Sequence, residues 1–246
     1  GLYASEYMRK VLVRDPKNTR YFVKLDVRHF YDSVDHKILK DSFRRVIKDE
    51  KFLSLMDSVV DSVSGEKGLP IGNYTSQIFA NYYLQRFDHF VKEDLKIPYY
   101  IRYMDDMVLI GPNKRALEKN VASIKKYLLD NLLLSTHGNE QVVPVSYNDS
   151  NGHNHGQFID LCGYRHYRGH TTIRRRDFKR VRRCVIRVVR WLNSQSHIPI
   201  EMLRRLFSYW GMLVHTDSEK FRNENLNDGQ ISFLKSLISK GAKQYA

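Results

Sequence analysis

The chain has 246 residues, 42% of them hydrophobic, enough to bury a sizeable core in one large or two modest domains. Its 41 Lys and Arg against 27 Asp and Glu give a formal charge of +14, which points to a polyanionic partner. Two cysteines, Cys162 and Cys184, exclude a disulfide framework or a cysteine zinc site and fit a reducing compartment. No apolar run is long enough to span a bilayer, and no stretch has the pattern of a signal peptide.

In chain order, Tyr21-Phe22-Val23-Lys24-Leu25-Asp26-Val27 reads as a strand with Asp26 near its end, and Arg28 to His36 leads into a helix. Gly68-Leu69-Pro70-Ile71-Gly72-Asn73-Tyr74-Thr75-Ser76-Gln77 is a Gly- and Pro-punctuated loop that lets backbone approach a ligand closely, and an apolar helix follows from Ile78 to about Phe90. Two apolar runs, 99–102 and 107–110, then flank Tyr103-Met104-Asp105-Asp106 and predict a hairpin with adjacent carboxylates at its tip. Adjacent acids repel, so such a tip calls for a cation, and a hard divalent metal suits oxygen ligands. Asp26 joins the pair if its strand neighbours the hairpin.

A helix is expected from about Lys114 to Leu129, a polar insert at 150–156 around His153 and His155, and a hairpin over Phe158-Ile159-Asp160-Leu161-Cys162-Gly163-Tyr164. Eleven cations from Arg165 to Arg190 crowd one stretch with Asp177 as the lone acid. From about Asp177 to Asn193 a helical stripe of Phe178, Val181, Val185, Val188 or Val189, and Leu192 leaves a basic face for phosphates. Ile200 to Leu213 reads as another helix, 215–218 as a turn, and Gln230 to Lys240 as a last helix.

Taken in order, these segments resemble the reverse transcriptases and their palm-domain polymerase relatives. Leu25-Asp26-Val27 with Phe30-Tyr31 is similar to the family's first catalytic motif, 68–84 to its template and nucleotide loop plus helix, Tyr103 to Asp106 to its Tyr-X-Asp-Asp hairpin, and 158–164 to its primer grip. The resemblance implies an α+β fold, with a right-hand palm of antiparallel sheet backed by helices over 21–172 and a helical thumb over 173–246. Residues 1–20 are then a remnant of the fingers, which are expected to be largely missing because so little chain precedes Asp26.

It also implies roles. Asp26, Asp105 and Asp106 are the expected catalytic acids, holding two Mg2+ (or Mn2+) with help from the Val27 carbonyl. Phe30, Tyr31, Ile71, Gly72 and Gln77 are expected at the nucleotide, with Phe30 placed slightly ahead of Tyr31 as the aromatic that excludes a ribose 2′-hydroxyl. Template and primer are expected to meet Asn73, Ser76, Tyr103, Met104, Cys162, Gly163, Tyr164, Arg174, Arg175, Arg176, Lys179, Arg180 and Arg183. Relatives carry a Gln where Ile71 stands, and a side chain that forms no hydrogen bond there implies looser nucleotide selection. Relatives also often place a Lys near the leaving pyrophosphate; no Lys stands in 134–139, and His137 is the stand-in.

The Ile-Gly with Ser-Gln form of the loop is most similar to the bacterial and phage reverse transcriptases of diversity-generating retroelements. That lineage implies a cytoplasmic enzyme copying a template RNA into error-prone cDNA from a primer and dNTPs, with a basic accessory variability protein and no membrane partner. Two alternatives stay open: an inactive polymerase-derived RNA-binding scaffold, and an RNA-templated RNA polymerase.

Overall fold

The computed structural model describes residues 2–194 and 198–243, so Gly1 and 244–246, the outer ends of the expected first and last domains, lie outside the described residues. The chain forms two compact units, one of residues 14–159 and one in which 2–13 join the chain from 160 onward. The first helix, α1 (Leu2–Arg14), buries Ser5, Met8, Val11 and Leu12 along one face. It was not anticipated from sequence.

The first unit runs β1 (Tyr21–Asp26), α2 (Phe30–Ser33), α3 (His36–Val46), α4 (Glu50–Val60), α5 (Tyr74–Tyr83), α6 (Gln85–His89), β2 (Tyr99–Tyr103), β3 (Asp106–Gly111), α7 (Lys114–Leu132), β4 (Val143–Pro144), β5 (Tyr147–Asn148) and β6 (Asn154–His155). The first, second, third and fourth strands make one antiparallel sheet in the order β2-β3-β1-β4. Strand side chains alternate faces, so Val23 and Leu25 with Met107 and Leu109 enter a core shared with Phe43, Phe79, Phe87 and Leu128 of the helices. The same alternation sends Lys24 and Asp26 to the opposite face. Side-chain caps fix three helix starts: Asp35 accepts from the Ile38 amide at 3.1 Å, Asp49 from Lys51 and Phe52 at 2.9 and 3.0 Å, and Asn113 from Ala116 at 3.1 Å.

Two local expectations change. The helix expected from Ile78 begins at Tyr74 and breaks at Leu84, and α6 ends in a π-helical turn over Phe90–Asp94, where the Leu95 amide donates to the Phe90 carbonyl at 3.1 Å. The stretch 150–156 folds into the β5–β6 hairpin, because the Asp149 carboxylate accepts from the Asn151 and His153 amides, both at 2.9 Å, and from His155 Nε2 at 2.9 Å.

The second unit contains a small sheet of β7 (Ile159–Leu161), β8 (Tyr164–His166) and β9 (Thr171–Ile173), then α8 (Arg175–Asn193), α9 (Ile200–Val214), α10 (Glu219–Asn225) and α11 (Asp228–Lys243). Cys162 and Gly163, at φ 52° and 87°, form the two-residue turn between β7 and β8, as a hairpin with both central residues left-handed requires. Val181, Val185 and Val188 of α8 pack with Leu203, Leu206 and Leu213 of α9, beside Ile231 and Leu234 of α11. Helix α1 is tied into this unit by Arg9 to Asp217 at 3.1 Å and by Arg168 donating to the Leu12 carbonyl at 2.7 Å.

Candidate active site

The β1–β3 pairing sets Asp26 directly opposite Asp106, and β2 pairs Tyr103 with Asp106, leaving Met104-Asp105 as a two-residue turn. Directly opposed residues share a face of the sheet, so two carboxylates from distant segments stand side by side with a third one residue away. Asp105 and Asp106 disfavour ionisation of Asp26. Burial pushes the Asp26 carboxyl above its ordinary value, and the charges of Asp106 and then Asp105 push it further, while His137 and Lys24 pull the other way. His137 Nε2 lies 3.9 Å from Asp26 Oδ2, and Lys24 Nζ lies 2.8 Å from Asp106 Oδ1. Lys24, Asp26 and His137 also line a cleft of about 430 Å³ with Asn139, Glu140, Gln141 and Gln157.

The turn itself is held from below. Met104 has φ 57°, a backbone state that costs a side-chain-bearing residue about 1–3 kcal/mol unless its surroundings enforce it. Arg102 does the enforcing: it donates to the Met104 carbonyl at 2.9 Å and to Asn81 of α5 at 3.0 Å, and forks onto Asp88 of α6 at 2.8 and 2.5 Å. The Tyr100 hydroxyl donates to the same Asp88 carboxylate at 2.7 Å. Alternation along β2 is what puts Tyr100 and Arg102 on one face.

The aromatic pair reverses its expected order. Phe30 is 2% exposed and belongs to the core, whereas Tyr31 packs against that core half-buried and within electrostatic reach of Asp105. Burial, then the charge of Asp105 and the hydroxyl of Tyr103, raise the Tyr31 hydroxyl above its ordinary pKa. Tyr31 also anchors the loop, its carbonyl accepting from the Leu69 amide at 2.9 Å while His36 donates to the Gly68 carbonyl at 2.7 Å. Beyond that anchor Ile71, Gly72, Asn73 and Gln77 are exposed, with Gly72 at φ 97°. Ser76 is corrected: it is 1% exposed and its hydroxyl donates to the Pro70 carbonyl at 2.5 Å, so it braces the loop and offers nothing to a template. Val27 is buried and bridges Thr136.

In the second unit, Arg175, Arg176, Lys179, Arg180 and Arg183 are exposed along α8, as are Arg182, Arg187 and Arg190. Two expected contact residues are otherwise engaged. Tyr164 is buried in the core of this unit, and Arg174 forks onto Asp160 at 2.6–3.0 Å, locking the start of α8 to the β7 strand. Cys162 and Gly163 remain half-buried at the hairpin turn.

Residues 2–135, a span holding Asp26, Asp105, Asp106 and the 68–77 loop, match the family described as reverse transcriptase (RNA-dependent DNA polymerase). The chain belongs to the reverse transcriptase family. No curated protein matches it. Among solved structures it is similar to telomerase from Candida tropicalis in complex with a fragment of telomeric RNA, at 14% identity and a TM-score of 0.54 over 85% of this chain and 41% of that one. It is also similar to the corresponding Candida albicans telomerase complex, at 13% identity and a TM-score of 0.50 over 96% of this chain and 46% of that one. The reverse transcriptase chain thus spans less than half the length of these telomerase chains, and the likeness is one of fold: an antiparallel palm sheet with helices, joined by a helical part.

For this reverse transcriptase the donor set suits a hard divalent cation, since three carboxylates gather at one end of the sheet, where burial and then the neighbouring acids raise the Asp26 pKa. Among the described residues, however, no three His, Cys, Asp or Glu side chains close into a ligand cage, and the Lys24 ammonium pairs with Asp106. Sequence reading missed Lys24 and Arg102. Lys24 lies two residues from Asp26 on β1 and so shares its face, but its partner Asp106 follows only from the β1–β3 register, and Arg102 stands opposite Met107 on the core-facing side.

Proposed function

We propose that this chain is the palm and thumb of an RNA-directed DNA polymerase of the diversity-generating type, extending a cDNA primer on a template RNA. The observation that carries it is the register of Asp26 against Asp106 with Asp105 at the adjoining turn. Asp26, Asp105 and Asp106, with the Val27 carbonyl, are the groups to hold two Mg2+ or Mn2+. Bound there, the metal pair supplies charge neutralisation for attack of a primer 3′-hydroxyl on the α-phosphate of a dNTP. The chain's own residues do the rest. Arg102 keeps the acid-bearing turn in place, Tyr31 stands where a ring excludes a 2′-hydroxyl, and the open loop at Ile71, Gly72, Asn73 and Gln77 meets the nucleotide and template.

The exposed cations of α8 bind the template-primer backbone, with Tyr103, Met104, Cys162 and Gly163 at the primer. The lineage resemblance carries the remaining proposals: error-prone copying, a basic accessory protein, and a cytoplasmic enzyme of bacterial or phage origin. Incorporation of labelled dNTP on an RNA template by the purified chain is the test. Wild type is expected to extend the primer and Asp105→Ala to fail; equal extension by both refutes the polymerase reading, and preference for ribonucleotides turns it towards an RNA polymerase. In the same assay Tyr31→Ala is expected to admit ribonucleotides and Phe30→Ala to lose stability without that change.

A further inference from the structure

We propose that Lys24 is a resident counter-cation of the acidic cluster, one that a divalent metal ion has to displace from Asp106 in order to load. The inference rests on the metal-dependent reading above and assigns that reading a new residue. Lys24 lies opposite Val108 in the β1–β3 register, so Asp106, two residues away on β3, is its diagonal cross-strand neighbour, within reach of a long side chain. The two side chains meet at 2.8 Å and are only 32% and 28% exposed, which spares the pair the full screening of a surface ion pair. Three carboxylates converge on this end of the sheet, where Lys24 is the ammonium on their face and His137 Nε2 lies 3.9 Å from Asp26 Oδ2.

Without Lys24, Asp106 faces Asp26 with no fixed positive charge on the same sheet face. With it, the acids are tolerated in the metal-free chain, at the expense of metal affinity. Loading is then an exchange in which one ammonium leaves the Asp106 carboxylate and a metal ion takes its place. The freed ammonium has somewhere to go, because Lys24 also lines the cleft shared with His137, Asn139, Gln141 and Gln157.

The readout is Mn2+ binding and thermal stability, neither of which needs turnover. Lys24→Met keeps the apolar stem and removes the charge. It is expected to bind Mn2+ about tenfold tighter than wild type by calorimetry or electron paramagnetic resonance, to melt at lower temperature in chelator, and to gain more in melting temperature when Mn2+ is added. Lys24→Arg is expected to stay near wild type. In the wild-type chain, Mg2+ titration should shift the side-chain resonance of Lys24, a measurement that holds even where the Met variant folds poorly. Unchanged or weaker Mn2+ affinity in a folded Lys24→Met, or a Lys24 resonance that ignores Mg2+, overturns the proposal while leaving the metal reading intact provided binding is lost in Asp26→Asn. Absence of any Asp26-dependent binding overturns both.

Discussion

The two units place their charged groups in different ways. In the sheet unit the acids are placed by register: Asp26 opposes Asp106 because β1 pairs with β3 in one alignment only, and a slip by one residue would send Asp26 into the core face. In the helical unit the cations of α8 are placed by periodicity, several of them along one exposed face. A site that positions reacting atoms needs the first kind of placement; a surface that holds a phosphate backbone needs only charge density along one face.

The sharpest way to break that contrast is to neutralise both. Asp26→Asn is expected to lower nucleotide incorporation on the order of a thousandfold or more, at every salt concentration. Neutralising Lys179, Arg180 and Arg183 together is expected to weaken template-primer binding across all sequences and to reduce its salt dependence by roughly one counterion for each lost phosphate contact. Binding measured at several salt concentrations, beside turnover at saturating template, separates the two. If the triple variant abolished turnover at saturation, the division of labour would be wrong.

Next comes the support beneath the acids. Arg102→Leu leaves Asp88 and Tyr100 without their cation and is expected to cost about 3 kcal/mol in denaturant unfolding, as loss of one partner of a buried ion pair does. Asp88→Leu in the same chain should recover part of that cost, since the two effects are coupled. An additive double variant would show that the network is not a unit.

Acid should separate the units. Burial holds the His166 imidazole down to about 4, so the folded chain resists a proton that the unfolded chain takes up at its ordinary 6.5, and stability of the helical unit falls as pH drops from 6.5 to 4. Glu140 in the sheet unit is pushed up by burial, yet Lys125, the Thr136 hydroxyl and the Gly138 amide hold it down to about 2. Its contribution is complete above 4.5 and is lost as pH falls from there to 2. Both tryptophans, Trp191 and Trp210, lie in the helical unit, so their fluorescence reports that unit alone. Its melting temperature is expected to decline from pH 6.5 downward, and His166→Phe should flatten that decline.

The smallest effect is expected at Ile71. It is 81% exposed, so nothing in the described chain covers it, and Ile71→Gln should lower misincorporation a few-fold in primer extension. An unchanged error spectrum would remove Ile71 from nucleotide selection.

What the sequence disclosed follows from the same contrast. The strand ending in Asp26, the hairpin at 103–106 and the stripe of α8 were legible because each repeats at the period of its own element. The order of Phe30 and Tyr31 was not, since both rings are large and apolar and only packing decides which is buried. Ser76 and Tyr164 looked like contact residues because their motifs are, and folding turned the first towards Pro70 and the second into a core. Arg102 and Lys24 needed the register of neighbouring strands. Helix α10, at seven residues, is too short for a periodic signal, and α1 carries only a narrow stripe of Met8, Val11 and Leu12.

Helix α1 has a consequence for synthesis. On the ribosome it emerges before residues 14–159, but the groups that cover its apolar stripe are made after them. The sheet unit is contiguous, whereas α1 waits through the translation of 14–159 with Met8, Val11 and Leu12 unburied. Nascent chains stalled before residue 160 should therefore be the ones that chaperones hold and proteases clip within α1.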